Sequence, residues 1–92
     1  MPRNNFIYEL VGIITNKKGL KVNERECFKL TVETQNKIPN IQVFKDKLVN
    51  ENIWQVIETN QFIDKKYTFY CHNYFGKYHL VNWKELNNHG SN

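Results

Sequence analysis

Ninety-two residues, 40% hydrophobic, 14% aromatic and 24% charged, suffice for one globular domain with a single core and exclude a two-domain enzyme. A mean hydropathy of −0.67, with no stretch approaching the ~20 apolar residues of a bilayer span, excludes a helical membrane protein and a disordered chain alike. Thirteen Lys and Arg against nine Asp and Glu give a net charge of +4, which favours a polyanionic partner without identifying one.

Residue usage adds a second signal. Fourteen asparagines, eleven lysines, eight isoleucines and no alanine are the usage expected of an AT-rich genome, as in organelles, endosymbionts or phages. A chain without its best helix former leans towards strands. The start, Met1-Pro2-Arg3-Asn4-Asn5, lacks the apolar core and cleavage site of a signal peptide, so an intracellular protein is expected. Cys27 and Cys71 stand far apart with no CxxC, and read as two buried thiols with no metal or redox role.

Residues 6–15 (FIYELVGIIT) predict a long first strand, bent or bulged at Gly12. Residues 16–26 (NKKGLKVNERE) predict a polar hairpin connection carrying Lys17, Lys18, Lys21 and Arg25. Residues 27–34 (CFKLTVET) alternate, with Phe28, Leu30 and Val32 on one face and Cys27, Lys29, Thr31 and Glu33 on the other. Pro39 marks a turn into a short strand, 41–44 (IQVF), which directs Ile41 and Val43 one way and Gln42 and Phe44 the other.

The single helical candidate is 50–59 (NENIWQVIET), with Asn50 as N-cap and an apolar face of Val49, Ile53, Val56 and Ile57. Residues 66–74 (KYTFYCHNY) form the most aromatic strand, turned by Phe75-Gly76-Lys77 into a last strand at 78–83 (YHLVNW). A polar tail, 87–92, is expected to fray from an ordered core of about 6–86, and no repeat or linker divides 1–92. The order β, β, β, helix, β, β predicts an all-β OB-fold, a five-stranded Greek-key barrel with its helix between strands three and four. An SH3-like barrel is the alternative.

Three stretches then carry a resemblance. LVGIIT (10–15), VFKDKL (43–48) and YTFYCHNYFGKYHLV (67–81) resemble the first strand, the third-strand motif and the last hairpin of bacterial-type single-stranded DNA-binding proteins. That family carries a long flexible segment with an acidic, hydrophobic tip that recruits other replication proteins. This sequence stops at Asn92 without one, and so is more similar to the tailless primosomal replication proteins of the same fold, or to a reduced binder from an AT-rich plastid genome. The resemblance implies single-stranded DNA as partner, with RNA as a sub-case, and a part in DNA replication, recombination or repair.

Such binding needs flat π-faces for bases and a positive groove for phosphates. By alternation Tyr70, His72 and Tyr74 share the outward face of the fourth strand, and Phe75 follows in the turn. Phe44 matches the position of a base-stacking aromatic in the family; the competing reading tucks it under the helix that follows. Lys17, Lys18, Lys21, Lys29, Lys45 and Lys77 are the candidate groove cations, each also explicable as a solubilising surface charge. Trp54 and Trp83 read as packing residues.

No paired carboxylates, nucleophile elbow, phosphate-cradling glycine loop or HExxH is present, so no enzyme, cofactor or metal is expected. Cys71 and His72 are adjacent in a strand and point to opposite faces. One small barrel spans few nucleotides, so a homodimer or homotetramer is expected. The rival function is a protein-interaction subunit whose aromatic surface contacts another protein.

Overall fold

The computed structural model describes residues 6–86. Five strands, β1 (Tyr8–Val22), β2 (Arg25–Glu33), β3 (Asn40–Phe44), β4 (Lys66–Tyr74) and β5 (Lys77–Leu86), are joined by a 3-10 turn at Lys45–Lys47 and one helix, α1 (Glu51–Glu58). They close in the order β1-β2-β3-β5-β4, with β4 returning to β1. All pairs are antiparallel except β3 with β5, which run parallel and meet only at Ile41 with Tyr78 and Gln42 with His79. This is the OB-fold: a five-stranded Greek-key barrel with the helix between strands three and four.

Period-two alternation places the core. Leu30 and Val32 from β2, Ile41 and Val43 from β3, Phe69 and Cys71 from β4 and Leu80 from β5 all point inward and are fully buried. Leu10 and Ile14 of β1 join them, and Ile53, Trp54 and Ile57 of α1, with Phe62 beyond it, complete the same cluster. Trp54 packs on Phe28 with ring centres 4.7 Å apart, and Trp83 stacks on Tyr67 at 4.0 Å, so both tryptophans are packing residues.

The helix begins as its sequence dictates, with the Asn50 side-chain oxygen accepting from the Asn52 N–H at 3.0 Å. Its buried face differs from the expected one. Val49 lies before the N-cap and is 66% exposed, tied only through its N–H to the Val81 carbonyl at 3.0 Å, while Trp54 takes the buried place. Lys17 donates to the Ile57 carbonyl at 3.1 Å and the Glu58 carbonyl at 3.4 Å, placing a cation at the C-terminal end where the helix dipole is negative.

The stretch expected as a long connection is strand. β1 pairs residue by residue with β2 as far as Val22 with Arg25, leaving a two-residue turn of Asn23 and Glu24 at φ 53° and 66°. Both positive φ values suit a tight hairpin whose twist matches its strands. The ribbon runs past the core, so neither face alternates in hydrophobicity and the strand signal is lost. β5 likewise continues past Trp83 to Leu86.

Gly12 serves a close approach. A Cβ there would overlap the Glu33 carbonyl oxygen and lie 2.9 Å from Val32 Cγ1, where β1 passes from β4 to β2. The register shift falls just beyond it, between Ile14 and Asn16. The polar tail, 87–92, lies outside the described residues. Among the described residues no helix is long and apolar enough to cross a membrane.

Replacing Gly12 by Ala should lower folding stability by about 1–3 kcal/mol, the usual range for overpacking, because the obstacle is backbone and cannot rotate away. Urea unfolding should show this as a lower midpoint at unchanged slope.

Candidate nucleic-acid interface

With the apolar side chains turned inward, the outer face carries the rest of each strand. One transverse row crosses all five strands in register: Lys18 opposite Lys29, Lys29 opposite Gln42, Gln42 opposite His79, and His79 opposite His72. Cross-strand partners project from the same face, so two lysines and two histidines stand in pairs of like kind. Lysines directly opposed are unfavourable unless an anion lies between them.

Beside the row, at the ends of β3, β4 and β5, lies an aromatic and cationic cluster. His79 stacks on Phe44 with centroids 5.6 Å apart and planes 20° apart, and meets the Tyr74 ring edge-on at 5.0 Å. His72 lies 5.8 Å from Tyr74. The Lys47 ammonium sits 4.7 Å from the centre of the Tyr74 ring, and the Arg25 guanidinium 4.5 Å from that of Phe44. Arg25 is held there by Asp46, whose carboxylate accepts at 2.6 Å.

Phe44 therefore corrects one expectation. It does point outward, as alternation from Ile41 and Val43 requires, yet it is buried to 5% exposure and lies outside the central core cluster. Arg25 and His79 cover it.

Phe75 is the reverse case. It occupies the β4–β5 turn at φ 54°, followed by Gly76 at φ 83°, and is fully exposed. A bulky residue in the left-handed region is strained, and a bare phenylalanine ring in water lacks any packing compensation. Tyr74 beside it is 43% exposed, and Lys77 lies opposite Tyr74. Tyr70 faces outward but stands apart from the cluster, lining a shallow groove with Ile7, Val49, Asn82 and Lys84.

The candidate lysines divide. Lys18 and Lys29 share the row, and Lys77 borders the aromatic cluster. Lys17 alternates to the opposite face, bonds the helix end and lies 5.2 Å from the centre of the Phe28 ring. Lys21 shares Lys17's phase and stands opposite Glu26, so 17, 18 and 21 make no single patch. Lys45 reaches towards Glu51 at 4.0 Å on the helix side.

Three participants are not marked as such in the sequence: Arg25, Lys47 and His79. Hairpin arithmetic can find His79, since a two-residue turn at Phe75-Gly76 sets it opposite His72. Nothing local finds the other two, because they reach the cluster from different strands and turns.

Burial, followed by the charges of Lys47, Lys77, Arg25 and His72, holds the His79 imidazole below the ordinary histidine value. Burial alone pushes Cys71 up to about 12. Cys27 is raised by burial too, partly offset by a backbone hydrogen bond at Val43 and by Arg25. Both thiols are free and buried, with Cys71 inside the barrel and His72 outside it.

No family model matches the chain, and no curated protein matches it.

Two measurements check this placement. Phe44→Ala should cost about 3 kcal/mol of folding stability, as for a buried aromatic, whereas Phe75→Ala should leave the melting temperature unchanged or slightly raised. Cys27 and Cys71 should resist a thiol reagent in the native protein at mildly alkaline pH and both react on unfolding.

Proposed function

We propose that this chain is a non-catalytic module that binds single-stranded nucleic acid, DNA in the first place, on the outer face of its barrel. Phe75 is the observation that carries the reading. A fully exposed aromatic on a strained turn costs stability in the free protein and is accounted for by a flat partner that stacks on it. Tyr74 adjoins it, and the Lys18–Lys29 row leads away from it across the sheet. Bases would stack at the hairpin tip while phosphates follow the row, an arrangement that reads shape and charge and leaves base identity unread. The resemblance of residues 10–15, 43–48 and 67–81 to bacterial-type single-stranded DNA-binding proteins supports the same reading, and with it a part in replication, recombination or repair.

Self-association has its own supporting observation. Val11 and Ile13 in the first part of β1, with Ile7 just before the strand, are 43%, 41% and 46% exposed, apolar positions interrupted by Glu9. A second copy covering them would align two barrels on one strand and raise affinity through effective concentration. Sedimentation at tens of micromolar should give a dimer or tetramer; a monomer overturns this part alone.

Titration with oligo-dT should quench tyrosine and tryptophan emission, with affinity falling as salt rises. Phe75→Ala and Tyr74→Ala should each weaken binding by about 1–3 kcal/mol at unchanged melting temperature. Lys18→Gln with Lys29→Gln should flatten the salt slope by about 0.7 for each phosphate no longer neutralised, and leave base preference unmoved. Oligo-rU competing as well as oligo-dT would make RNA an equal partner. No binding of either strand would leave a protein-interaction subunit as the reading.

A further inference from the structure

His79 is a closely held polar group on the outer face. Its ring lies between Phe44 and Tyr74, and its Nδ1 is buried with no hydrogen-bond partner. Buried polar atoms in folded proteins are nearly always paired, and with Nδ1 closed off and unpaired, Nε2 is the ring nitrogen left for a group arriving from outside.

The groups facing it are almost all cationic or neutral. β2 contributes Arg25; the 3-10 turn contributes Lys47 and Asp46; β4 contributes His72 and the Tyr74 phenol; β5 contributes Lys77. β3 contributes Phe44 and Gln42, which carry no charge. The one acid, Asp46, is already engaged by Arg25 at 2.6 Å. In the free protein burial, and after it this field, keeps the imidazole neutral near neutral pH.

We propose that a phosphodiester group of the bound strand seats at this cluster between Lys47, Lys77 and His79, and that His79 takes up a proton from solvent as it binds. The proposal rests on the single-strand reading above. An anionic oxygen there reverses the local field, because it offsets the lysine charges and accepts from the imidazolium Nε2–H. The proton goes on in the complex and off in the free protein, and no bond to the phosphate is made or broken.

The sign follows from linkage. The free protein's His79 titrates below the ordinary histidine value, and the bound anion raises that midpoint in the complex. Above the complex's midpoint both forms are neutral and affinity is flat. Between the two midpoints affinity rises as pH falls, by at most about tenfold per pH unit for one proton, and below the free midpoint it is flat again.

The experiment uses oligo-dT, whose bases do not titrate across the histidine range. Binding at constant salt from about pH 5.5 to about pH 8.5, near and on either side of the histidine midpoint, should strengthen roughly tenfold or more towards acid. Calorimetry near the histidine midpoint, in two buffers of different ionisation enthalpy, should show net proton uptake on binding. His79→Gln should abolish the pH dependence and keep the alkaline affinity, whereas His72→Gln should retain most of it. An NMR titration of the unmodified protein follows the His79 ring directly, so the result does not depend on a variant that folds. Its midpoint should move upward when oligo-dT is added. Binding with no proton uptake and an unmoved His79 midpoint overturns this proposal alone. A pH dependence that persists in His79→Gln overturns it as well. Absence of oligo-dT binding at every pH overturns the single-strand reading and this proposal with it.

Discussion

The parallel seam between β3 and β5 is the junction on which the outer face depends. It consists of two residue pairs, Ile41 with Tyr78 and Gln42 with His79, each spanning 37 positions of the chain. Everything else in the sheet is an antiparallel pairing, made in local hairpins or by the return of β4 to β1. Closing the seam removes the last open edges and brings the end of β2–β3 against the β4–β5 hairpin. Phe44 and His79 touch only because of it, and so do Lys47 and Tyr74. The helix and its preceding turn reinforce the same seam through the Val49 N–H on the Val81 carbonyl.

The outer face accepts local conflicts that the inner face does not. Inside, Leu30, Val32, Ile41, Val43, Phe69 and Leu80 are apolar and fully covered. Outside, lysine faces lysine, histidine faces histidine, a histidine nitrogen lacks a partner, and a phenylalanine stands bare on a left-handed turn. Such conflicts reduce stability. The ion pair in the cluster, Arg25 with Asp46, is 46% and 71% exposed and so is worth at most about 1 kcal/mol. It sets the guanidinium over Phe44.

Neighbouring lysines with equal charge have unequal freedom because strand geometry alternates. Lys17 and Lys18 differ by one position in β1 and therefore by one face of the sheet. The first reaches under the barrel to the carbonyls of Ile57 and Glu58, so the charge that seals the helix cannot also line a groove. The second stands opposite Lys29 on the outside. A basic cluster read from spacing alone counts both as one patch, and the sheet separates them.

Period-two alternation, the Asn50 cap and the turn residues made the element order, the helix and nearly all of the core legible in the sequence, because each is a local signal. Leu30, Val32, Ile41, Val43, Phe69 and Cys71 point inward as alternation requires, and Tyr70, His72 and Tyr74 point outward. The continuation of β1 through Val22 was not legible, since a ribbon standing clear of the core has no buried face to imprint a pattern. Nor was the covering of Phe44, the division of the lysines, or the orphaned nitrogen of His79. Those depend on which side chains arrive from strands far away in the chain. A sequence sets the direction of each side chain by local geometry, and only closure of the barrel decides what each one meets.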